Sequence, residues 1–241
     1  MKKWGLLLLF SGFFLPRVLL AAELLWGVPT SPSKVKETYL QLKPLADYLS
    51  KKMGPSFRLE PLPWKAFESS FRQGAFSLVL ASPGVLLLKG PYEPLLVLKS
   101  RHTPALIFRG PLEEALKGRM VAVWPYAYEG YLAQAAYLAR QGRPPSGVLF
   151  LGGEDLVIFA VLNGKAALGM VSFEAARPYA SRLKVVKVAG PAGWLLLVQR
   201  GLSPALKDRL KKAFLSYPGK GFVFSEPGDY QRFFSFKKYL P

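Results

Sequence analysis

Side chains able to do covalent or metal chemistry are scarce in this sequence. It holds no cysteine and one histidine, His102. A thiol nucleophile and a disulfide are excluded, and a histidine-built metal site or a Ser-His-Asp triad lacks members. The adjacent carboxylates Glu113-Glu114 and Glu154-Asp155 do not by their spacing stand across a bond to be cleaved. Gly152-Gly153 is too short a pattern for a dinucleotide site. No catalytic residue, metal ligand or cofactor is therefore expected. What remains is the chemistry of binding. Thr30, Ser31 and Ser33 put hydroxyls in one Pro- and Ser-rich loop, and Ser82 precedes Pro83-Gly84, where it can cap a helix or donate to a ligand. Tyr126 and Tyr128 offer phenols, and Gly152 to Asp155 forms a glycine turn into a helix. Hydroxyls and free helix-start N–H groups suit an anion.

Two features compete with that anion. Glu129, Glu154 and Asp155 fall at helix starts, where a carboxylate is stabilised by roughly 0.3–1 kcal/mol and can take the same donors. Trp26, Trp64, Trp124, Tyr126, Tyr128 and Trp194 suit stacking or cation–π contact with a guest, or else plain core packing. His102 reads as a surface residue between two strands.

The elements that must position these groups follow from periodicity. The stretch from Phe150 to Ser172 reads as strand, glycine turn, helix and strand, a βαβ unit with parallel pairing and a ligand-facing loop at Gly152 to Asp155. Before it, strands are expected at Leu24 to Val28, Phe57 to Leu62, Ser77 to Ala81, Pro94 to Lys99, Ala105 to Phe108 and Arg119 to Trp124. Helices are expected at Val35 to Met53, Trp64 to Arg72, Val85 to Lys89, Leu112 to Leu116 and Tyr128 to Gln141. Strands Val185 to Val188 and Trp194 to Gln199 and a helix capped by Ser203-Pro204 complete the pattern. The aromatic, basic tail from Lys220 to Pro241 has no period; it is expected as irregular structure or a short helix on the first lobe.

The chain has 241 residues, 51% of them hydrophobic, enough for one large domain or two lobes. Lys2 and Lys3, an apolar run and Leu20-Ala21-Ala22 lay out a secretory signal over 1–22, cleaved or kept as an anchor. An exported location, periplasmic or otherwise extracytoplasmic, follows. The net charge of +18 is scattered at helix ends, a solvated face first and a membrane-facing surface second. The α/β pattern runs through two cycles. It divides as a first lobe from residues 23–101 and 189–241 and a second lobe from 102–188, a two-lobe clamp.

LLWGVPTSPSKVKETYLQLKPLADYLSKKMG, from Leu24 to Gly54, resembles the start of solute-binding proteins for phosphate, phosphite and phosphonate uptake, a branch of the type II periplasmic binding proteins. FRQGAFSLVLASPGVLLL, LKGRMVAVWPYAYEGYLAQAAYL and GGEDLVIFAVLNGKAALGMVSFEAA resemble later segments of that family, in the same order. The resemblance implies a periplasmic-binding-protein-like clamp, each lobe a mixed sheet flanked by helices. It implies a small-molecule ligand held as an oxyanion between lobes and an ABC-type permease as partner. An exported chain is not expected to meet nucleic acid, and a monomer is expected. The ligand-binding set is Thr30, Ser31, Ser82, Tyr126, Tyr128, Gly153 and Glu154. The chain departs from the family where Trp124 to Gly130 replaces a Ser-, Thr- and Gly-rich loop, and where Glu154 replaces a histidine. A second role stays open: an adaptor for a membrane sensor kinase, with a ligand other than an oxyanion.

Overall fold

The computed structural model describes residues 23–99, 102–190 and 192–241. The expected signal segment lies outside the described residues, as do positions 100, 101 and 191 in the expected crossings between lobes.

The chain builds two mixed sheets flanked by helices. The first sheet holds β1 (Leu24–Thr30), β2 (Phe57–Pro63), β3 (Leu78–Ala81), β4 (Tyr92–Leu98), β10 (Trp194–Gln199) and β11 (Phe224–Ser225), in the order β11-β4-β10-β3-β1-β2. The second holds β5 (Pro104–Phe108), β6 (Met120–Ala122), β7 (Leu149–Phe150), β8 (Leu168–Ser172) and β9 (Lys184–Lys187), in the order β7-β6-β8-β5-β9. Continuous apolar runs form the central strands: every residue of β3, β5 and β8 is buried. That is the pattern of strands covered on both faces.

Helix α1 (Val35–Met53) buries Leu42, Leu45, Ala46 and Leu49 on one face against the first sheet. It stops at Gly54, whose φ of 94° suits a residue without Cβ and whose N–H reaches the Ser50 carbonyl. Helix α2 (Trp64–Arg72) buries Trp64, Phe67 and Phe71 at helical spacing. A short 3-10 helix, Pro83–Leu87, stands where a helix over Val85 to Lys89 is expected; the backbone turns extended at Leu88 and ends it. After the short α3 (Leu112–Ala115), a wide π-turn at Tyr128–Leu132 leads into α4 (Ala133–Arg140). Helix α5 (Glu154–Leu162), the short α6 (Phe173–Ala176) and α7 (Pro204–Leu215) follow.

One expectation needs correction and a second needs extending. The strands flanking α5 are parallel but not neighbours, because β6 lies between β7 and β8 and pairs with both. The tail lies on the first unit as expected but also reaches the second. Its β11 adds an edge to β4, and a 3-10 helix at Gln231–Tyr239 rests on the Pro83–Leu87 helix while packing rings against the second sheet's side. Phe233 and Phe236 meet Tyr128 edge-on, and the Tyr131 hydroxyl donates to the Tyr239 carbonyl at 2.8 Å. The aromatic surplus of the tail thus finds aromatic partners on the second unit.

The parallel strands fix where a site can form. β1 and β3 run together, as do β6, β7 and β8. Their carboxyl ends lead into Ser31, Ser82, Trp124, Gly152 and Phe173, the segments between the two sheets. Crevices outside the carboxyl ends of parallel strands are where α/β proteins hold ligands.

Candidate functional site

Between the two sheets lies a cavity of about 270 Å³. From the first sheet's side it is walled by Pro29, Thr30, Ser31, the start of α1 (Lys34, Glu37, Thr38, Gln41), Trp64 and Trp194. From the second it is walled by Val123, Ala127, Glu129, Gly130, Gly153, Glu154 and Ser172, with His102 beside them.

Glu129 is its central polar group. The π-turn places it: Leu132 N–H reaches back to the Ala127 carbonyl, and the turn is pinned from below by Gln134. The buried Gln134 amide donates to the Glu129, Ala105 and Val171 carbonyls, tying the turn to β5 and β8. Widened turns of this kind recur at functional sites. Glu129 is only 6% exposed. Ser82 donates its hydroxyl to Oε2 at 2.8 Å, and the Trp194 indole N–H donates to Oε1 at 3.1 Å. Both donors come from the first sheet's side. Burial pushes the Glu129 carboxyl up to about 7, against the lowering effect of its own backbone N–H and the Ser82 hydroxyl; the nearby Glu154 charge raises it further.

Glu154 opens α5 and accepts the Ser172 N–H at 2.7 Å, joining the helix start to the end of β8. The next residue, Asp155, accepts the Ser33 hydroxyl at 2.6 Å across the gap. Its Oδ1 is buried with no hydrogen-bond partner among the described residues. Gly153 lets the walls meet, since a Cβ there would come within 2.8 Å of Ser31 Cβ.

A second set of bridges lies beside the cavity. Trp64 on α2 stacks on Trp124 with ring centroids 4.6 Å apart. The Trp124 indole donates to Glu68 at 3.2 Å, Arg72 pairs with Glu68 at 2.7 Å, and Arg72 donates to the Tyr126 hydroxyl at 3.3 Å. The two walls are therefore held together by the chain's own side chains.

The residues expected at a site divide into two groups. Thr30, Ser31, Gly153 and Glu154 come together at the cavity. Ser82, Tyr126 and Tyr128 do not line it: Ser82 lies behind Glu129, Tyr126 engages Arg72, and Tyr128 is packed against the tail. The Ser82 hydroxyl also accepts the Tyr128 N–H at 2.8 Å. Of the aromatic residues, Trp64 and Trp194 reach the cavity, whereas Trp26 is core, edge-on to Phe214. Residues not expected at a site also line it: His102, Lys34, Glu37 and Ser172. His102 is exposed, and its ring lies 6.5 Å from that of Trp194, a proximity no local pattern signals. Among the described residues no three His, Cys, Asp or Glu side chains gather as a metal-holding group.

Residues 28–233 match the protein family described as the periplasmic substrate-binding protein of phosphonate ABC transporters. A search of curated protein sequences gives no match. Among solved structures, the chain is similar to a binding-protein component of an ABC phosphonate transporter from Pseudomonas aeruginosa, with TM-score 0.74, 15% identity, and 90% of this chain and 87% of that one covered. PhnD1 from Prochlorococcus marinus, solved with methylphosphonate, gives TM-score 0.71 at 15% identity, covering 90% and 98%. A Xanthomonas citri protein solved with ATP gives 0.70 at 21%, covering 90% and 96%. At these identities the structural likeness is one of fold, that of the type II periplasmic binding proteins.

Proposed function

We propose that this chain, which belongs to the periplasmic substrate-binding family of phosphonate ABC transporters, is the extracytoplasmic capture component of such an uptake system. It closes on a small ligand carrying a phosphate- or phosphonate-type oxyanion and presents the closed form to a permease. The observation that carries this reading is the cavity of about 270 Å³ with one wall from each sheet, bridged by Ser33 to Asp155 and by Trp194 to Glu129. A space of that size suits a small polar guest, and walls from separate bodies give a clamp its closing motion.

The proposed lobes are residues 23–101 with 189–241, and residues 102–188. Thr30 and Ser31 supply hydroxyls from the first wall, and the uncapped start of α5 at Gly153 supplies backbone donors from the second. Trp64 and Trp194 exclude water from the flanks. The guest leaves chemically unchanged, so the chain is a binder and not an enzyme, and it works as a monomer exported by way of residues 1–22.

Isothermal titration with methylphosphonate and inorganic phosphate, paired with small-angle scattering, tests the reading. Saturable heat with a smaller radius of gyration is expected. Heat with neither anion across acid to alkaline pH would overturn the ligand class.

A further inference from the structure

Glu129 puts a carboxylate where an oxyanion clamp would be expected to offer donors. Its two oxygens take the Ser82 hydroxyl and the Trp194 indole N–H, so neither donor is open to a guest. It lines the cavity itself and is almost wholly shielded from water. A guest oxyanion held in this cavity shares it with the Glu129 carboxylate. The charged or titratable groups around that carboxylate are Glu154 from the start of α5, Lys34 and Glu37 from the start of α1, and His102 from the segment before β5. Lys34 and Glu37 are solvent-exposed. Glu154 adds to the negative side. Two buried anions at hydrogen-bond distance cannot both stay ionised, and one proton between them turns repulsion into a hydrogen bond.

Resting on the reading that the cleft captures an oxyanion, we propose that Glu129 is a specificity-determining residue that admits the guest only with one proton shared between its carboxyl and the oxyanion. The balance is simple: ionised Glu129, a fully ionised guest and one proton from solvent give a complex with a single O–H···O⁻ contact. Where the guest arrives already carrying its proton, none is taken from solvent. The upward displacement of the Glu129 carboxyl by burial means that this proton is held near neutrality. Ionised Glu129 acts as a plug that keeps its own donors, and protonated Glu129 acts as a donor to the guest.

The experiment is calorimetry with methylphosphonate in two buffers of different ionisation heat, across neutral to alkaline pH, on the full chain and on Glu129→Gln. The parent should take up close to one more proton per ligand than the variant on the alkaline side. Its affinity should also fall more steeply there, by an extra factor of up to about ten per pH unit. Because an imidazole can also carry a proton near neutral pH, His102→Gln is measured alongside and should keep the parent's step. Trp194→Phe, which removes one donor from the ionised carboxylate, should still bind and should move the step to higher pH, giving a second readout that does not depend on Glu129→Gln folding. Equal proton uptake by parent and Glu129→Gln, with binding intact in both, would overturn this inference and leave the capture reading standing. No binding of methylphosphonate or phosphate by either protein at any pH would overturn the ligand class, and this inference with it.

Discussion

The Ser82 hydroxyl, just past the end of β3 in the first sheet, donates to Glu129 Oε2 in the second unit at 2.8 Å while accepting the Tyr128 N–H at the same distance. One small side chain thus satisfies a buried carboxylate and a backbone donor on the opposite wall. Ser82→Ala should strip both at once. A buried polar group left unpaired costs about 1–3 kcal/mol, more when charged. The loss of stability in urea should be largest on the alkaline side of neutrality, where Glu129 is ionised, and should shrink in acid. An equal loss at both pH values would mean that the hydroxyl serves Tyr128 alone.

Glu129 makes stability itself depend on pH. Its carboxyl is raised from 4.5 to about 7 in the folded chain, first by burial and further by Glu154. The folded state therefore holds a proton more tightly than the unfolded one. The contribution is fully present below 4.5 and is lost as pH rises to about 7. A displacement of that size corresponds to about 3 kcal/mol by linkage. Denaturant unfolding should show the parent losing stability over this window relative to Glu129→Gln. Parallel stability curves for the two proteins would contradict the assignment.

The sequence-readable and unreadable parts of this molecule separate by distance along the chain. Helix α1 was legible because Leu42, Leu45, Ala46 and Leu49 repeat within a few residues and all turn to the same sheet. The continuous apolar run of β3 was legible for the same local reason. The partners of Glu129 were not, since Ser82 and Trp194 lie 47 and 65 residues away. Glu129 could be placed at a helix start and seen as a competitor for donors, but not joined to those two. Tyr126 and Tyr128 lie off the cavity lining for the same reason. Their loop does reach the gap, yet Arg72 and the tail rings claim the phenol of one and the ring of the other. The insertion of β6 between β7 and β8 is equally non-local, for neighbours in sequence need not be neighbours in a sheet.

Ser33 and Asp155 form an exposed latch at the cleft mouth, 2.6 Å apart and from opposite walls. Ser33→Ala removes the contact without touching either core. A hydrogen bond of this kind is worth about 0.5–1.5 kcal/mol net. The closed form should therefore lose about two- to tenfold in population against the open one. Small-angle scattering of the unliganded variant should give a larger mean radius, with melting of the body little changed. An unchanged radius would assign closure to the Trp194 and Ser82 bridges instead.

Gly84 tests closure by shape and not by polarity. It sits in the turn after β3, and a Cβ there would overlap the Tyr126 backbone carbonyl and come within 2.6 Å of Leu132 Cδ1, both on the opposite unit. A backbone atom cannot rotate away as a side-chain tip can, so Gly84→Ala must push the two walls apart. Overpacking of this kind typically costs about 1–3 kcal/mol. Here the cost falls on the contact between the sheets and not on either sheet. Oxyanion affinity should drop by about five- to 150-fold, in line with that cost. Gly201→Ala, with open space around the added carbon, is the matched control and should leave affinity and stability as they were. If Gly84→Ala bound methylphosphonate as tightly as the parent, the seam between β3 and the Tyr126 loop would play no part in closing the cleft. The bridges through Glu129 would then have to hold the walls by themselves.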